Sequence, residues 1–167
     1  LLLRHGAHAA LGVDVSRTHE GLPALAWREL GLARLPSRLR FERIVPGQAF
    51  AEGVRAQSIM SWSTFEHIEW PYMDGVLANL HRVLADDGVF FLQINPLYHA
   101  PQGSHLGRFQ LPAWAHLTMG PQELEEAVMA FQGEIPAEEV EENFHTRDFA
   151  AYKAFVLDEY RKLNRIT

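Results

Sequence analysis

The chain has 167 residues, with 15 Lys and Arg against 21 Asp and Glu, for a formal net charge of −6. That is one domain's length, and 47% hydrophobic with 22% charged residues describes a globular chain able to bury its own core. The absence of cysteine excludes disulfides and thiolate-held metals, the acidic balance argues against a nucleic-acid surface, and no apolar run approaches the roughly 20 residues of a membrane span.

The first residues read as the tail of a helix stopped at Gly6, and the chain opens on leucine, so it reads as a piece of something longer. Leu1-Leu2-Leu3 gives way at once to Arg4-His5-Gly6, which is no secretory leader. With neither leader nor span, a cytoplasmic location is expected. Ala9 to Asp14 is a short apolar run closed by an acid and predicts a buried parallel strand. Pro23 to Leu30 predicts a short helix stopped at Gly31. Arg40 to Val45 alternates and predicts a second strand, closed by Pro46-Gly47, and Gln57 to Ser63 predicts a third. After Pro71, the residues Met73, Val76, Leu77, Leu80, Val83 and Leu84 recur at helical spacing. Asp86-Asp87-Gly88 then predicts a turn with a left-handed glycine, and Val89 to Ile94 a fourth strand ended by Asn95-Pro96.

Residues 97–120 are irregular but rich in aromatics, which predicts an ordered lid packed by Trp114 and His116. Pro121 to Phe131 predicts a helix, and the acidic residues 134–142 a solvated surface. Thr146 is placed to cap a last helix that turns Phe149, Tyr152, Val156, Tyr160 and Leu163 inward. Strands and helices thus alternate, which predicts an α/β fold with a parallel sheet. Ligands of such sheets sit beyond the carboxyl ends of the strands. Asp14 stands at such an end, where a carboxylate can take both hydroxyls of a ribose; its plainer role is a capping or surface acid.

Two further stretches narrow the reading. Ser61-Trp62-Ser63-Thr64-Phe65-Glu66-His67-Ile68 follows the third strand, and Leu80-His81-Arg82-Val83-Leu84-Ala85-Asp86-Asp87-Gly88 leads into the fourth. With Gly12-Val13-Asp14-Val15-Ser16 before them, they resemble class I S-adenosylmethionine-dependent methyltransferases over roughly residues 1–120, with Asp87-Gly88 where Gly-Gly is usual. The resemblance implies a three-layer Rossmann-like sheet with helices on both faces, incomplete at both ends and followed by a C-terminal helical extension. Residues 1–96 would be a partial cofactor-binding domain, and 97–167 a lid and extension of that same domain. The cofactor implied is S-adenosyl-L-methionine, with Asp14, Val15 and Ser16 at its ribose, Gln48 and Ala49 toward the adenine, and Ser61 and Trp62 at the next strand end.

The glycine-rich loop of that family is expected upstream of Leu1, with a central strand between those ending at Asp14 and Ser63. These residues alone are therefore expected to fold poorly and to bind cofactor weakly or not at all. Gln48 stands where the family often has an acid, although an amide oxygen can accept the same hydrogen bond. Gln57 replaces a common Asp at the start of the third strand. Trp62 and Phe65 read equally as ligand-flanking or core aromatics.

Methyl transfer to a hydroxyl benefits from a base, and His67, His99 and His105 are the candidates. The plain readings are a loop-holding histidine for His67 and surface exposure for the other two, while Glu66 reads as a first-turn acid favoured by the helix dipole. His5, His8 and His19 invite a metal, but Gly6 breaks their spacing, so no metal site is expected. The expected acceptor is a small molecule or glycan, with no nucleic-acid or membrane partner. A non-catalytic methyltransferase-like interaction module is the competing reading, and a nicotinamide-dependent oxidoreductase a third.

Overall fold

The computed structural model describes Leu3, residues 6–144 and residues 147–166. Over these residues the protein is mixed α/β, with four strands and six α-helices. The strands form two separate parallel pairs, β1–β2 and β3–β4, rather than one continuous sheet. The chain divides into two compact units, residues 1–59 with 71–89, and residues 60–70 with 90–167.

In the first unit, β1 (Ala10–Asp14) lies parallel to β2 (Leu39–Arg43), in register from Ala10 opposite Leu39 to Asp14 opposite Arg43. Gly12 has a packing reason: a Cβ there would stand 2.7 Å from the Phe41 ring. The strand is half-buried, not buried as expected: among the described residues β2 is its one paired strand, and Val13 is 38% exposed. Between the strands runs α1 (Leu22–Leu30), with proline in its first turn and Gly31 at φ +63° as its stop, as the sequence predicts. Phe50, Ala51 and Val83 form the buried core, with Leu11, Ile44, Val54, Ala56, Ile59 and Leu80 packed on it.

The long helix α2 (Trp70–Val83) buries Met73 and Val83 on the expected face. It runs directly into β4 (Leu84–Gln93), so the turn expected at Asp86-Asp87-Gly88 does not form. Pairing overrides the turn residues. A Cβ at Gly88 would lie 2.9 Å from the Ala56 carbonyl oxygen of β3 (Ala56–Trp62), so glycine serves a close approach of two strands there. Asp86, exposed on that strand, accepts from Arg55 at 2.6 Å.

In the second unit the far ends of β3 and β4 are joined through Ser63, whose N–H donates to the Gln93 carbonyl at 3.0 Å and whose hydroxyl donates to Gln93 Oε1 at 2.9 Å. The core gathers Leu106, Phe109, Ala115, Leu124, Val128, Val140, Tyr152, Val156 and Leu157. Three of these come from the segment expected to be a lid. Those three side chains are turned inward, whereas Leu97, Trp114 and Leu117 are exposed, and the segment includes α3 (Ala115–Thr118). Helix α4 (Pro121–Ala130) opens with Glu123 reaching back to the Gly120 N–H at 3.3 Å.

The acidic stretch expected to be plain surface forms α5 (Ala137–Phe144), since Val140 is 3% exposed and anchors it, while Glu139 meets Arg108 at 2.7 Å. Helix α6 (Phe149–Lys162) is capped by Asp148, which accepts from the Ala150 and Ala151 N–H groups. The cap expected at Thr146 lies outside the described residues. The α6 face is as expected, with Tyr152 fully buried and its hydroxyl bonded to Arg108. Lys153, 6% exposed on the same helix, donates to the Met129 and Phe131 carbonyls at 2.8 and 2.6 Å and stands 4.8 Å from the Phe149 ring centre. It thereby satisfies carbonyls at the C-terminal end of α4. No helix among the described residues is long and apolar enough to cross a membrane.

Candidate functional site

Asp14 closes β1 with its carboxylate exposed, one oxygen accepting the Ser16 N–H at 2.7 Å. The loop beyond is held at several points. The Ile44 N–H donates to the Asp14 carbonyl at 2.8 Å, Arg43 Nε donates to the Val15 carbonyl at 3.1 Å, and the Ser16 and Thr18 hydroxyls bond at 2.7 Å. Gln48 and Ala49 are exposed after β2. The Gln48 backbone donates to Val45 and accepts from Asn79 Nδ2, leaving the amide side chain on the surface. Asp14, Val15, Ser16, Gln48 and Ala49 all belong to the first unit.

Ser61, Trp62, His67, His99 and His105 belong to the second. Trp62 is 70% exposed at the end of β3, while Phe65 is buried against Phe90 at 5.8 Å between ring centres, as a core aromatic. His99 is exposed, its ring edge-on to Tyr98 at 5.3 Å. His116 is buried as expected and bonds the Tyr98 carbonyl through Nε2 at 2.6 Å, whereas Trp114 is 40% exposed.

The structure brings His67 and His105 together, with ring centres 5.2 Å apart and planes at 76°. A third member joins them. Glu66, expected as a first-turn acid and found in the first turn of a short 3-10 helix, is 3% exposed, and each of Glu66, His67 and His105 offers a ligand atom within 4.8 Å of the others. Among the described residues neither Glu66 carboxylate oxygen has a hydrogen-bond partner, and neither does His105 Nε2. A buried acceptor without a donor costs free energy, so three such atoms in one cluster call for a physical reason.

The elements that hold this cluster are specific. Glu66 and His67 lie on a short 3-10 turn, Phe65–His67. Asn164, 4% exposed, clamps that turn: its Nδ2 donates to the Phe65 and Ile68 carbonyls, its N–H donates to the Glu66 carbonyl at 3.0 Å, and its Oδ1 accepts the Ile166 N–H. His105 is delivered by a turn in which its N–H donates to the Gln102 carbonyl and its φ is +61°. Burial, then the nearby His67 and Arg108 charges, push the His105 ring down to about 4. At neutral pH it is an uncharged imidazole with a lone pair to offer.

Sequence reasoning found both histidines but not their meeting, nor the inward turn of Glu66, nor Asn164. The only signal was the Glu66-His67 adjacency. Cavities of about 570 Å³, beside Ile135, Val140 and Phe149, and about 180 Å³, beside Phe41 and Ala51, are lined by none of the candidates. Neither a family model nor a curated protein sequence matches the chain.

Proposed function

We propose that the protein belongs to a methyltransferase that moves a methyl group from S-adenosyl-L-methionine to a hydroxyl of a small-molecule or glycan acceptor. The observation that carries this reading is Asp14, an exposed carboxylate at the carboxyl end of a parallel strand, on a loop already fixed by Ser16, Arg43 and Ile44. An ionised carboxylate has about four acceptor sites, and the Ser16 bond uses one of them, so Asp14 fits a ribose diol. Gln48, with its side chain free of the backbone bonds around it, is the group to meet the adenine amine.

In this reading the two strand pairs belong to one doubly wound, Rossmann-like sheet. When bound, the cofactor supplies a methyl carbon activated by a sulfonium. The chain's part is to hold the acceptor oxygen in line and to take its proton. The exposed imidazoles of His67 and His99 are the groups that reach solvent for that task.

Calorimetric titration of the full-length protein with S-adenosylhomocysteine tests the reading. Binding by the wild type and a loss of at least about tenfold in Asp14→Ala are expected, since each charge-assisted hydrogen bond is worth about 1.5–3 kcal/mol. No heat and no thermal shift at saturating ligand would remove the proposal. A competing reading, a non-catalytic module of the same fold, rests on Gln48 in place of an acid. Binding of S-adenosylhomocysteine without methyl transfer to any acceptor would favour it.

A further inference from the structure

We propose that Glu66, His67 and His105 form a binding site for one divalent first-row transition metal ion, with Zn²⁺ as the reference ion. The donor chemistry comes first. Two imidazoles and one carboxylate make a borderline set that suits Zn²⁺ and its neighbours, whereas Mg²⁺ and Ca²⁺ prefer oxygen throughout.

The geometry comes second. The three ligand atoms lie within 4.8 Å of one another. A tetrahedral ion with bonds of about 2.1 Å places its ligands roughly 3.4 Å apart, so the side chains need only close inward by rotamer adjustment. The rings meet edge-on at 76° and are not stacked, which lets their nitrogens aim at a common point.

The deciding observation is burial without partners. Glu66 is 97% removed from solvent, and among the described residues no donor reaches either of its carboxylate oxygens. His105 Nε2 is a buried atom in the same condition. A metal ion answers all of these atoms at once, because it is a positive centre that accepts lone pairs from acceptors facing each other. His67, by contrast, is exposed. The site is therefore open on one side, and its three protein ligands leave a fourth position for water, the arrangement of reactive zinc centres rather than of sealed structural ones. His67 is then committed to the ion and His99 remains as the exposed base. The metal proposal does not depend on the methyltransferase reading, since its readout is metal binding alone.

The test uses protein stripped with chelator, desalted, and titrated with Zn²⁺ by calorimetry, with bound metal counted after equilibrium dialysis. The wild type is expected to bind one ion per chain, with a rise in Tm that Mg²⁺ does not produce. Glu66→Gln, His67→Ala and His105→Ala are each expected to weaken Zn²⁺ by at least about 100-fold, since even residues that only orient a ligand contribute 10–100-fold. His81→Ala, on the surface of α2, is the control and is expected to bind as the wild type does. Glu66→Gln keeps the side chain's shape, so its Tm in chelator should match or exceed that of the wild type. If a buried variant fails to fold, exposed His67→Ala decides. Wild-type affinity in the variants, an equal response to Mg²⁺, or no bound zinc would each overturn the assignment.

Discussion

Asn164 offers the sharpest perturbation. Its side chain makes three hydrogen bonds, two of them donated by Nδ2 to the Phe65 and Ile68 carbonyls, and the residue is 4% exposed. Asn164→Ala removes all three bonds, each worth about 0.5–1.5 kcal/mol net, with the Ile68 carbonyl losing its side-chain donor while the Phe65 carbonyl keeps the Ile68 N–H at 3.2 Å. The sum is a loss of about 2–4 kcal/mol. For a chain of this length each kcal/mol lowers Tm by roughly 2–4 °C, so a drop of roughly 5–15 °C is expected. Asn164→Asp separates this account from a simple size effect. It keeps the acceptor for Ile166 but sets an anion against two carbonyl oxygens, so it must be the more damaging of the two. Thermal and urea unfolding followed by circular dichroism measure both. An aspartate variant as stable as the alanine variant, or an alanine variant within about 0.5 kcal/mol of wild type, would refute the clamp.

Two further outcomes follow from local geometry and charge. At Gly103 an added Cβ would meet the Tyr98 carbonyl oxygen at 1.9 Å, so Gly103→Ala should lose at least about 1–3 kcal/mol, whereas Gly75→Ala, inside α2 with 3.6 Å to the nearest atom, should gain about 0.5–1 kcal/mol in urea unfolding. In chelator, His105 makes stability pH-dependent. Its folded value near 4 lies below the ordinary 6.5, so the unfolded chain takes up a proton that the folded one refuses. Stability is full above pH 6.5 and falls as pH drops toward 4, by about 1–2 kcal/mol once partial exposure of the ring is allowed for. The stability advantage of wild type over His105→Gln should shrink across that window, and a flat difference would contradict the assignment.

What could be read beforehand follows from where each signal lives. Pro23 and Gly31 bracket α1 through local backbone preference, and Asp14 ends a strand whose apolar run is visible in the chain. The start of β4 was hidden because Asp86-Asp87-Gly88 has turn chemistry locally, while the approach of Gly88 to Ala56 is a tertiary fact. Helix α5 was hidden because one buried Val140 sits among glutamates. The Glu66, His67 and His105 cluster was half legible. Its first two members are neighbours in sequence, but only the fold turns Glu66 inward and brings His105 to it.

Lys153 and Lys162 are the only lysines in the chain. The first has its amine engaged by two carbonyls at the C-terminal end of α4, while the second stands in solvent with Asp158 and Glu159 beside it. A lysine-specific protease or an acylating reagent therefore meets one accessible target and one that is released only when α6 lifts away from α4. The ratio of modification at the two positions is a built-in gauge of how often that helix undocks, readable by mass spectrometry without any engineered label.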